Sequence, residues 1–146
     1  MITRVTPADP GFGAVAELFD DYRAHYGLQR GFLGTRRWLQ ERADSGFRLY
    51  AAQHAGRPVG FGTVATVPAS LTLGTVWMLR DLWVDPAHRG AGHGRALVAH
   101  VLAEARAAGA RRLSLTTEHD NTAAQSLYRS LGFEPVEGFL TFNAAL

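Results

Sequence analysis

The spacing of apolar residues along the chain alternates between a helical and a strand-like period. Apolar residues at every third or fourth position predict four helices, with their ends marked by glycines and polar caps. They run from Asp9-Pro10 to Gly27, over residues 35–44, from the glycines at 90–94 to Gly109, and from Asp120 or Asn121 to Gly132.

Short β-like runs between turn residues predict about seven strands. They cover residues 2–6, 48–54, 59–66, 76–84, 113–117, 133–137 and 140–143. The order is therefore β-α-α-β-β-β-α-β-α-β-β, a mixed α/β (α+β) fold with a largely antiparallel start and one β-α-β crossover near the end. No repeat or linker interrupts it, so we expect a single domain over residues 1–146.

Composition removes several classes of chemistry. The chain contains no cysteine, which excludes a thiol nucleophile, an iron–sulfur cluster and a cysteine zinc site. All fifteen of its basic residues are arginine, which excludes a P-loop lysine and Schiff-base chemistry. The formal net charge is only +2 and no basic stripe is present, so we expect no nucleic-acid partner. The histidines lack a metal-ligand spacing, and we expect no metal.

No apolar run approaches the roughly 18 residues of a membrane span, and the N-terminus lacks the apolar core of a signal peptide. We therefore expect a soluble cytoplasmic protein without a membrane partner.

A glycine-rich turn, Arg89 to Arg95, joins a predicted strand to a predicted helix. Such a turn can bind phosphate, because a helix N-terminus offers unpaired N–H groups and about half a positive charge. The dinucleotide fingerprint G-x-G-x-x-G does not fit, since Arg95 or Leu97 stands where its third glycine belongs. A turn that binds no ligand is the alternative interpretation.

Two segments carry a resemblance to a known family. DLWVDPAHRGAGHGRAL resembles motif A of the GNAT superfamily of N-acetyltransferases, with Arg89, Gly92 and Gly94 at its fixed positions. DNTAAQSLYRSLGFE resembles motif B. VWMLRDLWV and GFLTFNAAL resemble the branch of small histone and polyamine acetyltransferases. The resemblance implies the GNAT fold, with a central twisted, mostly antiparallel sheet, and an acetyl-CoA-dependent N-acetyltransferase.

The resemblance also implies which residues bind acetyl-CoA. Main-chain N–H groups of the turn would hold the pyrophosphate, the strand at 82–84 would pair with the pantetheine arm, and a helix-opening asparagine would contact the cofactor. These residues are Leu82, Trp83, Val84, Arg89, Gly90, Ala91, Gly92, His93, Gly94, Arg95 and Asn121. The simpler alternatives are core residues at 82–84, solvated helix-end arginines and a plain helix cap at Asn121.

Two residues are candidates for catalysis. Tyr128 is a core aromatic by spacing alone, but the resemblance implies that it is the general acid that protonates the departing CoA thiolate. Deprotonating an alkylamine at pH 7 costs roughly 4–5 kcal/mol, so a base is needed. Asp81 is our first choice, unless an arginine pairs with it. Glu118, His119 and His25 are the alternatives.

The expected acceptor is a small-molecule primary amine that attacks the thioester directly, with a backbone N–H near Val84 polarising the carbonyl. Residues of the first two helices would wall its site, and three carboxylates would attract a cation. The wall is Tyr22, His25, Tyr26, Phe32 and Trp38, and the carboxylates are Asp20, Asp21 and Asp81. A homodimer fits the family. A catalytically silent acyl-CoA-binding module and a transferase for another acyl-CoA are the rival functions.

Overall fold

Five strands form one sheet whose spatial order follows the chain. The computed structural model describes all residues 1–146, in two compact units, Met1–Thr116 and Thr117–Leu146. The strands are β1 (Ile2–Val5), β2 (Phe47–His54), β3 (Arg57–Ala69), β4 (Gly74–Val84) and β5 (Leu113–Ser114). The first unit also holds α1 (Phe12–His25), α2 (Phe32–Arg42) and α3 (His93–Ala107), and the second holds α4 (Thr122–Ser130).

The first four strands pair antiparallel and β5 joins β4 in parallel. This confirms the mixed α/β class, the four helices and the mostly antiparallel sheet. The strand count is lower than expected, because residues 133–137 and 140–143 form no strands and β5 has two residues instead of five. Apolar alternation indicates which side chains share a face, but a strand also needs a neighbour to accept its hydrogen bonds. Phe139, Leu140 and Phe142 stay exposed.

The ends of two helices differ from the sequence prediction. Asp9 does not cap α1, because its carboxylate turns back to Thr6 and accepts from that residue's N–H at 2.6 Å and its hydroxyl at 2.8 Å. The helix begins instead at Phe12, after Gly11. Helix α2 begins three residues earlier than expected, at Phe32.

Each face of the sheet is covered by helix. Helices α1 and α2 bury one apolar cluster against the first face, with Phe19, Phe61 and Trp83 among its aromatic members. Helix α3 packs on the strands through its buried Leu97, Val98 and Val101. None of the helices combines the length and apolar character that crossing a membrane requires.

A bulge in β4 decides which side chains reach the α1 face. Thr63 lies opposite Asp81, but the next residue of β3, Val64, lies opposite Leu79, so Arg80 is an extra residue. Side chains of a regular strand alternate between faces, and one extra residue reverses that alternation. Asp81 therefore shares the α1 face with Trp83, while Leu79 points to the other face.

Candidate active site

The turn between β4 and α3 has the geometry of an anion cradle. Gly90 and Gly92 have left-handed backbones, with φ of +77° and +83°, a conformation that glycine adopts without strain. A Cβ built on either would meet no atom within 4 Å. Gly92 is the N-cap of α3, and no side chain caps this helix. The turn is therefore open and presents a helix N-terminus, which is suited to a phosphate group.

The last residues of β4 leave one edge open beside this turn. Asp85 N–H donates to the Val59 carbonyl at 2.9 Å, so by the alternation of antiparallel pairs the main-chain groups of Val84 point to the opposite edge. Strand β5 covers that edge only at Trp77 and Met78. The edge at Leu82 and Val84 is thus without a partner strand.

Arg89 ties the turn to this strand. Its Nε donates to the Val84 carbonyl at 3.0 Å, and its guanidinium lies 4.5 Å from the centre of the Trp83 ring. Neither a solvated helix-end arginine nor a purely phosphate-directed one describes this placement. The hydrogen bond occupies the Val84 carbonyl and holds the turn against the open edge.

Asp81 lies on the α1 face with two hydroxyl partners. One carboxylate oxygen accepts from the Tyr22 hydroxyl at 2.8 Å, and the other accepts from the Thr63 hydroxyl. The alternative interpretation of Asp81, a carboxylate paired with an arginine, is not observed. The carboxylate is therefore held in place by two neutral donors, and its charge is not balanced by a protein cation.

A cavity of about 680 Å³ opens beside Asp81. The residues that line it come from α1, the loop after it, α2 and β4: Phe19, Tyr22, Arg23, Gln29, Arg30, Gly31, Gly34, Thr35, Trp38 and Asp81. Tyr22 and Trp38 of the expected wall are among them, whereas His25, Tyr26 and Phe32 are not. The His25 ring instead packs 4.9 Å from the Trp83 ring.

Asp20 and Asp21, the other two expected carboxylates, do not line this cavity, and both have partners within the protein. Asp20 is buried and accepts from Arg23, from the Thr35 hydroxyl at 2.8 Å and from the Gly31 N–H at 3.1 Å. Burial raises the pKa of Asp20, but these hydrogen bonds and the charge of Arg23 outweigh burial, and the pKa is lowered. Asp21 is paired with Arg30.

We expect Asp20→Asn to lower the free energy of unfolding by about 2–3 kcal/mol, because it removes a buried charged acceptor shared by three donors. The contribution of Asp20 is present at neutral pH and is lost as the pH falls through its lowered pKa. The neighbouring exposed pair makes Asp21→Asn the matched control, with an expected cost below about 1 kcal/mol. Urea unfolding at pH 7 measures both, and equal effects would contradict the role given to Asp20.

In the second unit, the two motif residues of α4 have distinct settings. Asn121 caps the helix, its side-chain oxygen accepting from the Ala124 N–H at 3.1 Å. Tyr128 is half-buried, with its ring 6.0 Å from that of Phe133. Burial, and then the charge of Glu118, raise the pKa of Tyr128. Its phenol is therefore protonated at neutral pH.

Sequence reasoning missed four contributors to the site: Thr63, Arg23, Arg30 and the bulge at Arg80. Tyr22 was expected as a wall, but its hydrogen bond to Asp81 joins positions 59 residues apart. Nothing in local spacing reveals such a contact. Opposite charges at Asp20 and Arg23, three positions apart on a helix, were the one usable signal. No group of three or more acidic or histidine side chains is placed to hold a metal ion.

Comparison with known proteins identifies the family. The model of the acetyltransferase (GNAT) family matches residues 14–133. The chain belongs to this family. It is 32% identical over 130 residues to the uncharacterized N-acetyltransferase YhfO of Bacillus subtilis, covering 88% of this chain and 87% of that one.

Two further comparisons agree. The aminoglycoside N(6')-acetyltransferase type 1 of Stenotrophomonas maltophilia is 34% identical over 112 residues, covering 73% of this chain and 72% of that one. The crystal structure of a probable acetyltransferase superposes with a TM-score of 0.91 at 28% identity, covering 100% and 97% of the two chains. This GNAT protein is an N-acetyltransferase, which transfers an acetyl group to an amine.

Proposed function

We propose that the protein transfers the acetyl group of acetyl-CoA to the primary amine of a small molecule, and that residues 1–146 act as one acetyltransferase domain. The observation that carries the proposal is the meeting of the open β4 edge and the uncapped α3 turn at Val84. GNAT enzymes normally use acetyl-CoA. An aminoglycoside acetyltransferase among the relatives supports a small amine as acceptor.

Acetyl-CoA supplies an acetyl group activated as a thioester. The main-chain N–H groups of the turn, from Arg89 to Arg95, bind the pyrophosphate, since Gly90 and Gly92 leave room for it. The Val84 N–H, on the open edge, donates to the thioester carbonyl oxygen. One well-placed donor of this kind contributes about 10²–10³ in rate.

Asp81 binds the amine and accepts its proton. Its carboxylate is the one acidic group that lines the cavity, and Tyr22 and Thr63 fix its orientation. The ammonium form has no lone pair, so Asp81 first takes one of its protons and frees the nitrogen to attack the carbonyl carbon. The second nitrogen proton becomes far more acidic once the carbon–nitrogen bond forms, and it leaves to solvent as Tyr128 protonates the departing sulfur.

Tyr128 donates a proton to the departing sulfur. This assignment is supported by its place in motif B and by a raised pKa that keeps the phenol protonated at neutral pH. Asn121 contacts the cofactor in the same motif, a role compatible with its capping of α4.

Asp81→Asn should lower turnover near pH 7 by about 10²–10³-fold, because the amide keeps the size of the side chain but cannot accept a proton. Much of the loss should be recovered at about pH 9–10, where more of the amine is deprotonated. The pH dependence of kcat/KM checks this, with Glu118→Gln as the control for the alternative base. Superimposable profiles for wild type and Asp81→Asn would exclude Asp81 as the base.

Release of free CoA with a panel of primary amines tests the function itself. We expect release to depend on both acetyl-CoA and the amine, and to fall when propionyl- or succinyl-CoA replaces acetyl-CoA. Tight binding of acetyl-CoA without release under any amine would instead indicate a silent acyl-CoA-binding module. Faster release from a longer acyl-CoA would indicate a different donor.

A further inference from the structure

The cavity beside Asp81 presents charges of both signs to a bound molecule. Asp81 faces it from β4, whereas Arg23 and Arg30 line it from α1 and the following loop. Its remaining surface includes three aromatic side chains, Phe19, Tyr22 and Trp38. A substrate of matching chemistry therefore carries a positive group, a negative group and an apolar portion.

Arg23 is positioned so that its guanidinium can bind an anion. Only its NH1 is engaged, by Asp20 at 3.3 Å, the Gln29 carbonyl at 3.4 Å and the Thr35 hydroxyl at 3.2 Å. NH2 and Nε keep their donors, and a guanidinium offers five donors in a planar fork that matches a carboxylate. Asp20 is 5% exposed and does not line the cavity. It therefore orients the guanidinium without occupying the substrate's place.

The two acidic groups near the cavity are treated differently by their surroundings. The Asp20 carboxylate accepts a hydrogen bond from the charged Arg23, while the Asp81 carboxylate accepts only from the neutral hydroxyls of Tyr22 and Thr63. Asp81 alone has an uncompensated charge for a substrate cation. A second cation would instead meet Arg23 or Arg30, which disfavours a polyamine.

Resting on the proposed function, we infer that the acceptor is a primary amine that also carries a carboxylate, as an amino acid does. The amine lies at Asp81, and the carboxylate is bound by Arg23, with Arg30 at the more exposed part of the cavity. Arg30 has 63% of its side chain exposed against 34% for Arg23. The aromatic side chains accommodate the substrate's apolar portion.

Acetylation of matched amines tests the inference. Phenylalanine, phenylalaninamide and phenethylamine, and the corresponding leucine set, differ only in the carboxylate. We expect kcat/KM for the acid to exceed that for the amide and the decarboxylated amine by about 10–100-fold, the effect of one charge-assisted interaction. The amine of the amide is less basic than that of the acid, so at a given pH the amide has the larger fraction of free amine. A preference for the acid over the amide therefore cannot come from the supply of free amine.

Variants of the two arginines show which guanidinium is responsible for the preference for the acid. Arg23→Gln should reduce the ratio of acid to amide towards one, chiefly through KM, and Arg30→Gln should reduce it less. Arg37→Gln, an exposed arginine of α2 outside the cavity, is the control that should keep the ratio. Because the ratio is taken within one variant, partial unfolding does not alter it.

The possible outcomes separate the inference about the acceptor from the proposed acetyltransferase function. Equal kcat/KM for acids and amides, or a preference for polyamines, would overturn the inference and leave the acetyltransferase function intact. A ratio unchanged in both Arg23→Gln and Arg30→Gln would overturn the assigned contact. Acetylation of no amine at all would contradict the proposed function itself, and the inference with it.

Discussion

Tyr128→Phe is expected to lower kcat by about 10²–10⁴-fold while the affinity for acetyl-CoA changes little. The substitution removes only the hydroxyl and keeps the ring, which packs against Phe133. Because the pKa of Tyr128 is raised, the wild-type rate should fall at high pH only above about pH 10, where the phenol loses its proton. That alkaline fall should be absent in the variant.

Steady-state rates over a pH series and calorimetric titration of acetyl-CoA measure the two effects separately. Phe133→Leu is the packing control, since it disturbs the ring contact and leaves the hydroxyl in place. Turnover that survives in Tyr128→Phe but is lost in Phe133→Leu would make Tyr128 a core residue and not an acid. If Tyr128→Phe lowers turnover only about tenfold, a water partly replaces the hydroxyl. The fall in rate at high pH then decides: its absence in the variant identifies Tyr128 as the acid.

Gly92→Asp is expected to abolish measurable binding of acetyl-CoA in a folded protein. Two like unit charges at a separation of about 4 Å repel by about 4 kcal/mol at an effective dielectric constant of 20, roughly a thousandfold in affinity. The fold should survive, because a Cβ at Gly92 meets no atom within 4 Å. Strain from its φ of +83° costs only about 1–2 kcal/mol.

Gly109→Asp is the matched control. Gly109 ends α3, has a φ of +71° and also has no atom within 4 Å of a built Cβ, so the strain is similar and the charge is placed away from the turn. Gly92→Ala separates backbone strain from charge and should weaken binding far less than Gly92→Asp. Calorimetric affinity that is unchanged in Gly92→Asp would remove the turn from the cofactor site.

The sequence was sufficient for the elements that depend on local pattern and motif. Helical spacing and glycine stops located the four helices, and the turn at 89–95 was placed correctly at the start of α3. Asn121 was one of two expected caps and is the cap observed. These features depend on residues one or two helical turns away in the sequence, which is the range over which apolar spacing carries information.

Features that depend on distant partners could not be predicted in this way. A strict alternation through β4 would put Trp77, Leu79, Asp81 and Trp83 on one face, and only the bulge at Arg80 divides them. Two of the three partners of Asp20, Gly31 and Thr35, lie in a loop and in another helix, so its charge looked available for a substrate when it is not. Residues 140–143 resembled a strand, but a strand requires a pairing edge that their own pattern does not specify.

Direct acetyl transfer from acetyl-CoA to a primary amine is tested most directly by mass spectrometry of a single turnover. Enzyme in excess is mixed with deuterated acetyl-CoA and phenylalanine, and the protein and the amine are weighed over time. We expect labelled N-acetyl product and free CoA to appear together in equal amounts, while the protein mass stays unchanged. Label on the protein before the amine, or intact acetyl-CoA beside unmodified amine for the whole amine panel, would contradict it.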